Sequence, residues 1–226
     1  MLPGELNVSG KYFNSGLLYS IAKSACERLA TDSRTSAGGQ SDAYVSIIFS
    51  ALSLQALINE MPDLLSMLPE STRHDPPQIR EFIRLAAEIE AGRGSIEHKY
   101  KNAMQILTGQ PVDVGAQPFQ DFSLLFRAHN ALVHAKPASF QLETGPDGSL
   151  IFESVQRIVR DFGAKHIIDS ANDPQHPWFY RIGTFKAAQW SCNTAVAVAA
   201  ALSRAVPDCA CKKNFLLHCS SYKLIE

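Results

Sequence analysis

The chain has 226 residues, a length corresponding to roughly one and a half typical domains, and a globule of that size buries about 70% of its unfolded surface. Hydrophobic residues make up 46% and charged residues 19%, with 13 Gly and 12 Pro, which excludes a disordered, collagenous or simple coiled-coil chain. Lys and Arg number 21 against 22 Asp and Glu, so bulk charge does not grip nucleic acid, and any such binding must be local.

The small-apolar run from Thr194 to Leu202 is far below the roughly 20 residues that span a bilayer. The opening MLPGELNVSGKYF lacks a basic stretch followed by an apolar core. Cys26, Cys192, Cys209, Cys211 and Cys219 are an odd number of cysteines, sparsely spread, which fits reduced thiols better than a disulfide framework. The expectation is a soluble cytoplasmic protein with no membrane association.

In chain order, apolar residues at Leu17, Leu18, Ile21, Ala22, Ala25 and Leu29 predict an amphipathic helix over Ser15–Ala30, with Asn14 or Ser15 as N-cap. Thr31–Gln40, polar and glycine-containing, reads as a loop. Ser41–Met61 is apolar almost all round and predicts a central buried helix stopped by Pro62. After Pro76 and Pro77, the segment QIREFIRLAAEIEAG places Ile79, Phe82, Ile83, Ala86 and Ile89 on one helical face. Another helix runs from about Ser95 to Gly109, capped by Ser95 with Glu97 in its first turn. Then Gln120 or Asp121 opens DFSLLFRAHNALVHAK, closed by Pro137.

Phe140–Ser154 contains two alternating runs around Gly145-Pro146-Asp147-Gly148, the residue types of a β-hairpin. Ser154–Gly163 predicts a short helix, and Asp169–Thr184 a structured loop anchored in the core by Trp178, Phe179 and Tyr180, with Trp190 a further core anchor. A last long helix is predicted over Thr184–Ala205, followed by a cysteine-containing tail. No repeat or linker divides the chain, so the expectation is one all-α domain over residues 1–226, its core at about 15–137 plus 184–205, with a small hairpin insertion near 140–154.

Chemistry concentrates in QDFSLLFRAHNALVHAK. Arg127 and His134 are seven residues apart, about 20° out of line on a helix, and Asn130 lies between them. The three form a polar stripe two turns long, with Leu125, Ala128 and Leu132 opposite as the packing stripe. His129 falls about 140° from His134 and outside that stripe. An imidazole can take the 2′-hydroxyl proton of RNA or protonate the leaving oxygen, and a guanidinium can neutralise charge developing on the phosphorus. The plainer alternative is a solvent face that happens to carry Arg, Asn and His. Lys99, Lys101 and Lys136 could join Arg127 in a local basic patch. A lone His98 reads as a surface or boundary residue.

With IFSALSLQALINEM and SIEHKYKNAMQILTGQ before PFQDFSLLFRAHNALVHAKP, the region from about Ala43 to Pro137, and more loosely KAAQWSCNTAVAVAAALSRAVPD, resembles the HEPN family of all-helical domains. The family signature is Arg, four to six residues, then His; six separate Arg127 from His134. The resemblance implies a HEPN-like helical bundle that forms a homodimer and sets two Arg/His pairs in one groove. It further implies a metal-independent endoribonuclease, without cofactor, of toxin–antitoxin or phage-defence type, leaving a 2′,3′-cyclic phosphate and meeting RNA and an antitoxin or other protein partner. His134 is then the acid/base, Arg127 the phosphate stabiliser and Asn130 the orienting group.

The chain also departs from the family pattern. Many relatives read Arg-Asn-x-x-x-His, whereas His129 precedes Asn130 here and Ala128 follows Arg127, so the arginine is either displaced by two positions or replaced by His129. Gln55, four residues before Asn59, stands where many relatives carry Glu, and Lys136 stands where some carry a modifiable Tyr. These departures keep a noncatalytic HEPN-like module, binding RNA, a nucleotide or a partner protein, as the alternative. Cys209, Cys211, His218 and Cys219 form C-x-C-x6-H-C, whose single-residue first spacing is poor for zinc, and Lys212 and Lys213 oppose a cation. No metal site is expected.

Overall fold

The computed structural model describes residues 10–31, 37–67, 75–92, 94–134, 142–144, 150–152, 157–168 and 176–226. Among these, nine helices account for nearly all regular structure: α1 (Ser15–Thr31), α2 (Ala37–Ser66), α3 (Pro77–Ala91), α4 (Ile96–Thr108), α5 (Phe119–Val133), α6 (Arg157–Ala164), α7 (Trp178–Ile182), α8 (Phe185–Ala205) and α9 (Ala210–Cys219). Two three-residue strands, β1 (Leu142–Thr144) and β2 (Leu150–Phe152), pair antiparallel with Glu143 opposite Ile151. The Gly145–Gly148 connection between them lies outside the described residues.

Helix α2 is the axis of the bundle, with α1 and α8 packed along it and α5 beside it. Ile47, Ala51, Leu54, Leu57 and Met61 are fully buried on it, and a single hydrophobic cluster draws side chains from every helix to surround them. Small residues let α8 approach closely: Ala188, Cys192, Ala195 and Ala199 bury along one of its faces. Between these helices, the buried Ser50 hydroxyl donates to Cys192 Sγ at 3.6 Å, and Ser46 Oγ donates to the Ala22 carbonyl at 3.1 Å. Both of these buried hydroxyls thereby have a partner.

Pro62 does not stop α2, which runs on to Ser66. An interior proline costs about 3 kcal/mol; burial of Leu64 and Leu65, at 3% and 0% exposure, offsets it at about 1.5–3 kcal/mol each. The helix also begins at Ala37, inside the segment expected to be loop. Residues Gln40–Ser66 are long and apolar enough to cross a membrane by length and composition, and half of the most apolar stretch is buried within the bundle.

The start of α1 has no acidic residue of its own in the first turn. Glu60 of α2 supplies one, its carboxylate accepting from the backbone N–H of Asn14 at 2.6 Å and of Ser15 at 3.3 Å, which satisfies donors that a helix start leaves orphaned. Helix α4 is closed as its sequence predicts, with Ser95 Oγ accepting from the His98 N–H and Gly109 in the left-handed region at φ 69°.

Two expectations about the C-terminal half are corrected. The aromatic triplet lies in α7, where Trp178 is partly buried against the core as expected, but Phe179 and Tyr180 are 38% and 41% exposed and the buried residues are Arg181 and Ile182. The cysteine-containing tail is the helix α9, anchored by Cys211 and Phe215 at an i, i+4 spacing. Beyond it, Tyr222 stacks on Tyr19 with centroids 4.6 Å apart, and Asn193 of α8 clasps the Ile225 backbone, accepting from its N–H at 2.9 Å and donating to its carbonyl at 3.1 Å.

Candidate functional site

Helix α5 buries Phe122, Leu124, Leu125, Phe126, Ala128 and His129. Phe122 stacks on Tyr100 of α4 and packs against Phe126, each at 4.8 Å between centroids. This aromatic wall fixes the rotation of α5, and the face bearing Arg127, Asn130 and His134 is exposed. The predicted stripe is thus a real surface feature. Its last member sits past the helix end: α5 stops at Val133, and His134 is the C-cap, at φ −107° and ψ 39°, with its N–H donating to the Asn130 carbonyl at 3.0 Å. Arg127 and His134 lie about 10 Å apart along the axis at 1.5 Å per residue.

His129 is on the other side. It is 8% exposed, its ring lies 6.2 Å from Phe126, and its Nδ1 is 3.2 Å from Asn130 Oδ1. It can steady the Asn130 amide, but it does not offer its ring to a ligand on the exposed face.

Arg127 has a partner that the sequence alone does not reveal. Its Nη1 donates to Asp161 Oδ2 of α6 at 2.5 Å, and Arg157 Nε lies 3.8 Å from the same carboxylate. On the same flank Lys165 Nζ donates to Asp121 Oδ1 at 2.6 Å. Arg127, Asp161 and Lys165 border a shallow hollow of about 320 Å³ between α5 and α6, with Phe119 and Ser123 in its wall. Ser123 of the wall donates to Glu97 Oε1 at 2.7 Å, so the cations Arg127, Arg157 and Lys165 stand against the carboxylates Asp161, Asp121 and Glu97, with no excess of positive charge. The i, i+4 pairing of Arg157 and Asp161 was the available signal for α6, but nothing in it pointed to Arg127.

The supporting residues are not gathered here. Gln55 is exposed on α2, and Asn59 Oδ1 accepts from Lys99 Nζ of α4 at 2.8 Å. Lys99 is engaged with Asn59 and Glu90 and joins no basic patch with Arg127. Lys136 lies outside the described residues.

In the C-terminal cluster, His218 Nε2 is 2.6 Å from Ser15 Oγ and 3.4 Å from Glu60, which ties α9 to the start of α1. Cys211 is buried, and burial pushes its thiol up to about 12. Among the described residues no three His, Cys, Asp or Glu side chains converge in a way that could hold a metal ion.

Comparison of the chain with family models, with characterised proteins and with solved structures returns no match.

Proposed function

We propose that this is a HEPN-like helical protein that cleaves RNA without a metal or cofactor, using the exposed stripe of α5 at a groove between two copies, in the cytoplasm, as a toxin or phage-defence ribonuclease. The observation that carries this reading is the joint exposure of Arg127, Asn130 and His134 on a helix whose other face is locked into an aromatic core. His134 of one copy takes the proton from the ribose 2′-hydroxyl, and the 2′-oxygen attacks phosphorus. The bond from phosphorus to the 5′-oxygen breaks, and that oxygen takes the proton that the imidazole of His134 now carries. The products are a 2′,3′-cyclic phosphate and a 5′-hydroxyl. Arg127 stabilises the charge on the non-bridging oxygens, and Asn130 orients the ribose or phosphate.

Asp161 is compatible with this role. The pair is exposed enough, at 43% for Arg127 and 31% for Asp161, to be worth about 1 kcal/mol or less. A phosphodiester accepts bidentate bonds from a guanidinium, and Arg157 stays beside Asp161 when Arg127 leaves it. The test is cleavage of total RNA in EDTA by the purified protein and by His134→Ala. Cleavage by the first and none by the second is the expected result, while cleavage that vanishes with chelation overturns the mechanism.

A second reading, a noncatalytic module that binds RNA, a nucleotide or a partner protein, is favoured by the same Asp161 contact, because an arginine held by a carboxylate is poorly prepared for catalysis. Wild-type protein that binds RNA and never cuts it would decide for this alternative.

A further inference from the structure

Helices α2, α3 and α4 leave a cleft of about 410 Å³ between them, within the size range of small-molecule sites and larger than the voids of a close-packed helix seam. Ile58 and Phe82 form its floor, both almost fully buried, and Ile83 and Ile106 present partly open faces to it. None of its lining belongs to α5, so the cleft is separate from the stripe.

One cation is fixed at this apolar cleft. The Lys99 side chain is 15% exposed, and its ammonium donates to Asn59 Oδ1 at 2.8 Å and to the Glu90 carboxylate. An ammonium has three donors, and these two acceptors occupy two of them. The partners differ in how firmly they are held. Glu90 sits in the last turn of α3 with 68% of its side chain exposed, so swinging it into water costs little. Lys99 is confined by the walls around it. The other carboxylate of the lining, Asp63, already faces the Lys11 ammonium, which offsets its repulsion of an incoming anion.

We infer that the cleft binds a small amphipathic carboxylate, its apolar body against Ile58, Phe82, Ile83 and Ile106 and its carboxylate taking the place of Glu90 on Lys99. An apolar cavity with one charged group at its edge is the usual division between affinity and orientation in such sites. Charge complementarity selects an anion over an alcohol or an amine of the same length.

Calorimetric titration of the whole chain with octanoate, and with 1-octanol as the uncharged analogue, tests this. One saturable octanoate site per chain is expected, with 1-octanol weaker. Glu90→Gln removes the competing carboxylate and should tighten octanoate binding several-fold. Lys99→Met keeps the apolar stem and should weaken octanoate about tenfold, the equivalent of about 1.4 kcal/mol, while leaving 1-octanol unchanged. Ala86→Phe, at a partly exposed position in the lining, fills the cleft and should abolish binding of both, with helix content checked by circular dichroism. Absence of saturable binding in both wild type and Glu90→Gln, an equal response of octanoate and 1-octanol to Lys99→Met, or undiminished binding in Ala86→Phe each overturns the assignment.

Discussion

Arg127 of α5 and Asp161 of α6 are joined by a 2.5 Å hydrogen-bonded ion pair, which hands the guanidinium of the α5 stripe to a neighbouring helix. The pair has two consequences of opposite sign. It orders the arginine on the surface where RNA would arrive, and it neutralises the charge that would draw a phosphate there. The balance is settled by magnitude, since an exposed pair contributes about 0.2–1 kcal/mol.

Asp161→Asn should therefore free Arg127 at small cost to the fold. RNA affinity and cleavage rise by no more than about fivefold, matching an interaction of about 1 kcal/mol or less, and the thermal midpoint falls slightly. Filter binding and a gel-based cleavage assay read the first effect and calorimetry the second. A large loss of cleavage would instead make Asp161 part of the working site.

The two histidines of α5 should separate cleanly. His134→Ala removes an exposed side chain at a helix end and should lower cleavage on the order of a hundredfold or more without changing helix content. His129→Ala empties a buried position against Phe126, so its main effect is on stability, and cleavage per folded molecule falls much less. Cleavage that depends on His129 and ignores Arg127 would place the working groups two residues later than proposed.

How far these positions could be read in advance follows from what periodicity reports. Leu125 and Ala128 are buried and Arg127 and Asn130 exposed, as the helical wheel of α5 requires, and the caps of α4 fall at Ser95 and Gly109. Local pattern controls those features. The extension of α2 through Pro62 depends on burial of Leu64 and Leu65, and the cap on α1 comes from Glu60, 45 residues away. Tertiary packing controls these, and no local window contains it. The same holds for Arg127 and Asp161, 34 residues apart. Helix α9 was hidden because it buries only Cys211 and Phe215, too few positions to establish a helical period.

A groove between two copies predicts trans-complementation. Light scattering should give about twice the chain mass of 24.8 kDa at micromolar concentration. Val133, an apolar side chain 47% exposed at the end of α5 next to His134, is the place to weaken association, and Val133→Asp should shift the protein toward monomer. If each site takes Arg127 from one copy and His134 from the other, inactive Arg127→Ala and inactive His134→Ala proteins should regain activity when mixed, because a mixed pair carries one intact site. Mixing that restores nothing, in a protein shown to exchange subunits, would place both groups in one chain.

The buried tyrosines set a stability limit on the alkaline side. Burial beneath Phe119 and Phe122 pushes the Tyr100 hydroxyl up to about 12, and burial likewise raises Tyr19 and Tyr222, which stack on each other. In the unfolded chain a tyrosine ionises near 10. The folded state therefore holds these protons more tightly, and their contribution is fully present below about pH 10. Between about pH 10 and pH 12 the unfolded chain loses protons that the folded one keeps, so stability falls as pH rises. For Tyr100 alone a difference of about two pH units corresponds to roughly 3 kcal/mol, a large part of a typical domain's 5–15 kcal/mol. Helix content followed by circular dichroism should hold up to about pH 10 and then collapse cooperatively, together with the phenolate absorbance of the buried rings. Tyr100→Phe keeps the stack on Phe122 and removes one titrating group, so its stability should decline less steeply over the same interval. A wild-type protein whose tyrosines all ionise near pH 10 with its helices intact would show that these rings are open to water.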